Sequence, residues 1–272
     1  MIAVADRIHP SRLNLEIRSV AWSRPFVWLG QGATDLWTSP RVSIAHGIGM
    51  TLLGWLLFAT FGTDPYFVAV AVTAFLLVAP VMSTGVCEVG RLLEHDGPTS
   101  FDQSIAPLSR EGTALMKYGA VLGVSAVGWF VLSEALLRPL FPVSSPSLAE
   151  ALYGSFLEQL TPRELLAYVI AGGGLGLAVF AVSIVTVPVI IDHHAGAGQA
   201  IHASLGVVRR NPAAMVTWAA LIMALTVIGF ATLLVGMPLI IPLLGHSTWR
   251  AYRDLVAPTP GLWPVVRTYR EE

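Results

Sequence analysis

Five stretches, Val42–Gly62, Tyr66–Val86, Ala114–Leu137, Leu165–Val187 and Ala213–Gly236, are nearly free of charge, and each is long enough to cross a bilayer as a helix. A hydrocarbon core of ~30 Å needs ~20 apolar residues in helical form. A sixth stretch, Pro238–Tyr252, is shorter, with only Met237–Trp249 free of charge. Water is absent at that depth, so the backbone must satisfy its own hydrogen bonds, and runs of this length do so as helices. Composition agrees: 54% of residues are apolar and 12% charged, against roughly 25% charged in a soluble domain. A soluble core of this size would lack polar surface to cover it, which excludes an ordinary cytosolic enzyme and a disordered chain. Sixteen Lys and Arg against seventeen Asp and Glu leave no basic field for nucleic acid. The single cysteine, Cys87, excludes disulfides within the chain and Cys-rich metal sites. The expected fold is all-α: a polytopic membrane bundle of about six transmembrane helices with short interfacial amphipathic helices. Residues 1–26 form a cytoplasmic segment, 27–256 the membrane domain and 257–272 a cytoplasmic tail.

Charge placement sets the orientation. With six crossings, one side receives Arg7, Arg12, Arg18, Arg24, Arg41, Arg91, Arg110, Lys117, Arg209, Arg210, Arg250, Arg253, Arg267 and Arg270. The other side receives only Arg138 and Arg163. Lys and Arg concentrate in cytoplasmic loops, so both termini are expected in the cytoplasm of a bacterial inner membrane. The first 40 residues carry Asp6, Glu16 and four arginines and no apolar core of a signal peptide. Arg250 and Arg253 would snorkel from the short sixth span to the interface.

Helix-start signals mark the boundaries. Ser39-Pro40 and Asn211-Pro212 place a capping residue before a proline at the first helical position. Thr161 with Glu164, and Ser147 with Glu150, read as capping boxes. The second box would start an amphipathic helix over Leu148–Leu160 in an outer loop. The chain also reads as three related units, each a short cytoplasmic helix followed by a membrane hairpin. The short helices are expected near Gly32–Trp37, Ser100–Ala106 and Ala197–Val208. Pro80 precedes Glu88 and Arg91 by the spacing at which Pro242 precedes Arg250 and Arg253. Matching prolines in repeated spans can mark a transport site, or simply reflect the frequency of proline in membrane helices.

The polar residues near the spans are the candidate functional cluster: Glu88, Arg91, Asp192, His246, Arg250 and Arg253. Charge at membrane depth costs at least ~2.5 kcal/mol on insertion scales. Glu88 lies three residues before Arg91 and is read as its ion-pair partner, with proton carrying as the alternative. Glu134 and Arg138 read as an interfacial pair. Asp192 is read as a cap for the helix starting near Ala197 or as a partner of His193, with an ion or proton site as the alternative. His46 is expected to bond a neighbouring helix. His246, with Ser247 and Thr248, can build a polar network or bind a ligand together with Arg250 and Arg253. The alternative makes this end an interface anchor, with Trp249 and Tyr252 in the aromatic belt and the arginines on lipid phosphate. Gly119-x-x-x-Gly123 and Gly172-x-x-x-Gly176 have the spacing for close helix packing.

Three stretches resemble the integral membrane family catalogued as domain of unknown function 2189. They are Trp28-Leu29 with Asp35-Leu36 and Ser39-Pro40; Val187–Asp192 with Ala200, Ser204 and Asn211-Pro212; and Pro242–Leu255. The resemblance implies a six-span helical fold and no activity. Some relatives are labelled cytochrome c oxidase subunit I-like. A haem–copper centre needs several inward histidines at membrane depth, and only His46 and His246 fall within spans here. No nucleotide loop, zinc-protease or nucleophile-elbow motif occurs. No catalytic residue, cofactor or metal is expected. The expected function is a non-catalytic accessory, scaffold or assembly protein, partnered by the bilayer and by another membrane complex, such as an oxidase, or a second copy. The alternative is a small-solute or ion transporter or channel.

Overall fold

The computed structural model describes residues 15–61, 83–95, 97, 99–137 and 161–258. A short strand, β1 (Leu15–Ile17), opens the described chain. An amphipathic helix, α1 (Arg24–Thr38), gives way after one residue to α2 (Pro40–Phe61). Residues 83–94 form α3. Then α4 (Phe101–Arg110) is followed, again after one residue, by α5 (Gly112–Leu137). Next come α6 (Pro162–Ser183) and, beyond a break at Ile184 and Val185, α7 (Thr186–His193). The third short helix, α8 (Ala197–Arg210), precedes α9 (Pro212–Ala231) by one residue. The last helix, α10 (Met237–Leu255), runs into β2 (Val256–Pro258). The expected pattern of short helix then long helix therefore occurs three times. The first short helix starts at Arg24, earlier than the expected Gly32, because Pro25 supplies a helical φ at the first turn.

Among the described residues, four segments are long and apolar enough to cross a membrane: Pro40–Thr60, Gly112–Ser133, Pro162–His193 and Pro212–Ala231. Their outer faces remain apolar: Met116 is 74% exposed, Val124 75% and Val216 70%. Exposed apolar surface on this scale is stable against lipid and not against water. The second expected span lies mostly outside the described residues. So do the Leu148–Leu160 helix, the Ser147 box, Pro80 and the Glu134–Arg138 pair. The sixth expected span is helical throughout, but it does not meet the apolar criterion.

The core gathers around α10, which packs most closely on α1 and α2. Glycines permit this. A Cβ on Gly32 would lie 2.2 Å from Ser247 Oγ, on Gly47 2.2 Å from the Pro238 carbonyl oxygen, and on Gly245 2.6 Å from Val86 Cγ1. The glycines expected to make such contacts behave differently. Gly119 and Gly176 meet nothing within 4 Å among the described residues, whereas Gly172 abuts Trp129. A spacing of four marks a small face but does not say which helix lies against it. Trp28 and Trp218, both fully buried, meet edge to face at 6.0 Å.

The ends of the described chain are tied together. β1 pairs antiparallel with β2, and Arg18 N–H donates to the Leu255 carbonyl at 2.9 Å. Asn211 does not cap α9. Its Oδ1 accepts from Val20 N–H at 2.8 Å and its amide donates to the Arg18 carbonyl at 3.0 Å, so it fastens the N-terminal segment beside the start of α9. Ser39 likewise donates to Thr99 Oγ1 at 2.8 Å, joining the start of α2 to the strand of chain before α4. The Thr161 box forms as expected, with Thr161 N–H donating to Glu164 Oε2 at 2.8 Å.

Candidate functional site

The C-terminal ends of α3, α7 and α10 converge on one charged junction, and α1 and α4 close it. The spacing within α10 explains how one helix reaches so many partners. Arg250 and Asp254 lie one turn apart and meet α1, whereas Trp249, Tyr252 and Arg253 reach α3 and α7.

Toward α1, Arg250 holds Asp35 with both nitrogens, Nε at 2.6 Å and Nη2 at 2.5 Å. One turn on, Asp254 accepts from Arg24 Nε at 2.6 Å and Trp28 Nε1 at 2.7 Å. Burial alone would raise the Asp254 carboxyl. The hydrogen bonds from Arg24 and Trp28, with the charges of Arg24 and Arg18, outweigh it and hold the group below the usual carboxylate range.

Toward α3 and α7, Arg253 donates to Glu94 Oε1 at 2.9 Å and lies 3.5 Å from Asp192 Oδ2. Trp249 Nε1 donates to Glu94 Oε2 at 3.1 Å. The Tyr252 hydroxyl donates to Asp192 and lies 2.8 Å from His193 Nε2. Glu88, 2% exposed, accepts two bonds from Arg91 at 2.8 and 2.6 Å and lies 3.6 Å from Arg110 of α4. The expected Glu88–Arg91 pair therefore forms, and Arg110 joins it.

Asp192 does not cap α8, whose N-cap is Gly196; it lies beside His193, the other expected partner, and also faces Tyr252 and Arg253. His246 is fully buried with Nε2 2.8 Å from Ser43 Oγ, and its Nδ1 has no hydrogen-bond partner among the described residues. Ser247 and Thr248 do not extend that contact. Each donates to a carbonyl of its own helix, at Leu243 and Leu244. His46 bonds the Val42 carbonyl at 3.0 Å and lies 3.4 Å from Ser104 of α4, the expected contact with a neighbouring helix. The aromatic-belt reading of this end does not hold, since Trp249 and Tyr252 are fully buried and the arginines meet carboxylates. Arg250 is committed to Asp35, with its side chain still 29% exposed.

Of the expected cluster, Asp192 and Arg253 meet directly. Arg91 stays with Glu88, Arg250 goes to Asp35, and His246 stands apart with Ser43. The residues not placed in the cluster beforehand are Asp35, Glu94, Arg110, Tyr252 and His193. Glu94 had a signal: Glu88, Arg91 and Glu94 repeat every three residues along one face. Among the described residues, no group of three or more His, Cys, Asp or Glu side chains can hold a metal ion.

The arrangement is that of a packed membrane bundle with a charged junction at one end. Residues 67–192 match the family model of a predicted integral membrane protein. This segment is similar to the domain of unknown function 2189. The matched segment carries Glu88, Arg91, Glu94, Arg110 and Asp192, together with the Val187–Asp192 stretch of the resemblance. Asp35, His246, Arg250 and Arg253 lie outside the match, as do the Trp28–Pro40 and Pro242–Leu255 stretches. No curated protein and no solved structure matches the chain significantly.

Proposed function

We propose that the protein is a non-catalytic membrane protein that works by association, as a scaffold, accessory or assembly subunit. The observation that carries this reading is the saturation of the junction. Asp35, Glu88, Glu94, Asp192 and Asp254 all meet arginines of the same chain. A transport site needs polar groups left available to a passing solute, and these groups are committed to holding helices together. The same reading places the chain in a bacterial inner membrane with six crossings and both termini in the cytoplasm. The pairing of β1 with β2 supports an even number of crossings. The partner is another membrane complex, such as an oxidase, or a second copy of the chain.

The test is native co-purification. With a tag after Glu272 and extraction in mild detergent, a discrete partner should elute in stoichiometric amount. Elution as a lone monomer would sink the reading. Transport is the second reading, favoured by the break between α6 and α7 and by Pro242 inside α10. Solute or ion flux into vesicles that depends on the protein would establish it instead.

A further inference from the structure

The turn that joins α9 to α10 reads Thr232-Leu233-Leu234-Val235-Gly236. Turns that face water favour Gly, Pro, Asn, Asp and Ser; here three consecutive positions are apolar. No Asp, Glu, Lys or Arg occurs between Asn211 and Arg250, so the chain enters and leaves the turn without charge. Leu233 and Leu234 both adopt the left-handed backbone, with φ 52° and 68°, which is uncommon for a residue with a Cβ. Leu234 packs on α2, its Cδ1 lying 2.7 Å from where a Cβ on Gly54 would stand. Leu233 and Val235 point outward, 57% and 67% exposed.

The polar atoms of the turn are satisfied inside the protein. The amides of Thr232, Leu233, Leu234, Val235 and Met237 each donate to a carbonyl between Ile228 and Leu234, and Gly236 N–H donates to Thr232 Oγ1, all at 2.9–3.0 Å. The Leu233 carbonyl accepts from Trp55 Nε1 of α2 at 3.0 Å, although that side chain is 47% exposed. Exposed groups in water can bond solvent, whereas in hydrocarbon each must find its partner in the chain. Length agrees. The 20 residues of α9 rise about 30 Å, the thickness of the hydrocarbon core. The helix starts beside the Arg18–Val20 segment, level with the end of α10, so no length is left to lift the turn into water.

We infer that the α9–α10 turn, with Trp55 beside it, is a lipid-binding surface seated among acyl chains in the leaflet away from the charged junction. The inference rests on the chain's place in a membrane and not on its partner or on transport. The full chain, one copy per phosphatidylcholine nanodisc, carries a spin label at Val235→Cys or, for comparison, at Arg163→Cys in the exposed first turn of α6. Cys87 is buried and supplies the background. At position 235 the label should collide readily with oxygen and rarely with a nickel chelate, the reverse of position 163. The unlabelled thiol at 235 should react with a charged, impermeant maleimide about tenfold more slowly than that at 163, as a thiol pKa raised by one unit alone would give. Equal reaction at the two positions, with chelate access at 235, would put the turn in water and overturn the inference. Exclusion of oxygen and chelate alike would mean that protein covers the turn, and would overturn it too. If Val235→Cys fails to fold, Leu239→Cys, exposed on the first turn of α10, gives the same reading. Leu233→Asn supplies an independent sign. Asn suits the left-handed backbone, so in a water-facing turn it should raise the thermal stability measured in the nanodisc, whereas among acyl chains its amide should lower it. A rise would refute the seat.

Discussion

Asp35→Asn would test whether the junction fastens α1 to α10. Asp35 is 5% exposed and accepts two short bonds from Arg250, whose side chain is 29% exposed. Removing one partner of a fully buried pair costs about 3–5 kcal/mol, mostly because the other charge is orphaned. Arg250 can turn partly to water or lipid phosphate, so a loss of about 2–3 kcal/mol is expected here. Arg250→Gln should lose a similar amount, leaving a buried carboxylate unpaired. The double variant should lose clearly less than the two singles together, with a coupling of about 1.5–3 kcal/mol. The assay is equilibrium unfolding of the detergent-solubilised protein in dodecyl sulfate, followed by fluorescence of the buried tryptophans. A coupling below about 0.5 kcal/mol would refute the reasoning, since sites without a shared interaction add to within that range.

Gly245→Ala should destabilise by about 1–3 kcal/mol, because its Cβ meets Val86 and the core must shift. Gly119→Ala, in open space, should be neutral or stabilise by up to about 1 kcal/mol, and thermal unfolding of the pair separates the two. The depressed Asp254 carboxyl stabilises the fold at pH values above its unfolded pKa of about 3.9, and that contribution is lost as pH falls through the lower folded value. Asp254→Asn should therefore flatten the acid limb of a stability–pH curve. The effect should be about 1 kcal/mol or less because the pair is part exposed; an unchanged limb would count against the assignment. Reporters fused at the two termini should give the same-side signal, as the β1–β2 pairing requires; signals from opposite sides would break that geometry.

The sequence made some of this legible because certain signals are local. Apolar runs, the Thr161 box and the Glu88–Arg91 pair all depend on residues within one or two turns, and all appear in the fold. The ties that assemble the bundle are not local. Asp35 and Arg250 are 215 positions apart, and Asn211 bonds Val20 across 191. Periodicity says which face of a helix is polar but not which helix will meet it. Trp249 and Tyr252 look like interface anchors from their place beside arginines. They are buried because Glu94 and Asp192 arrive from other helices to satisfy the indole N–H and the phenol. The glycines misled for the same reason: Gly245 and Gly32 have no partner at a spacing of four, yet they make the close contacts.

The last helix shows how far this reasoning reaches. An apolar criterion detects helices that face lipid, and α10 faces mostly protein, with His246, Ser247 and Tyr252 buried against its neighbours. Its polar groups therefore argue for a place at the centre of the bundle rather than against crossing. On the six-crossing reading, two hydrogen-bonded ties carry the count. Asn211, at the start of α9, and Leu255, at the end of α10, both bond the Arg18–Val20 segment, so if α9 crosses then α10 must return. A 20-residue α9 rises about 30 Å and a 19-residue α10 nearly as much, so the two match in length. Ser39 and Thr99 apply the same logic at the start of the chain. They hold the beginnings of α2 and α4 together, so a crossing by α2 obliges the chain to return before Thr99. On that reading, the shortest and most polar of the expected spans would owe its crossing to hydrogen bonds at its neighbours' ends.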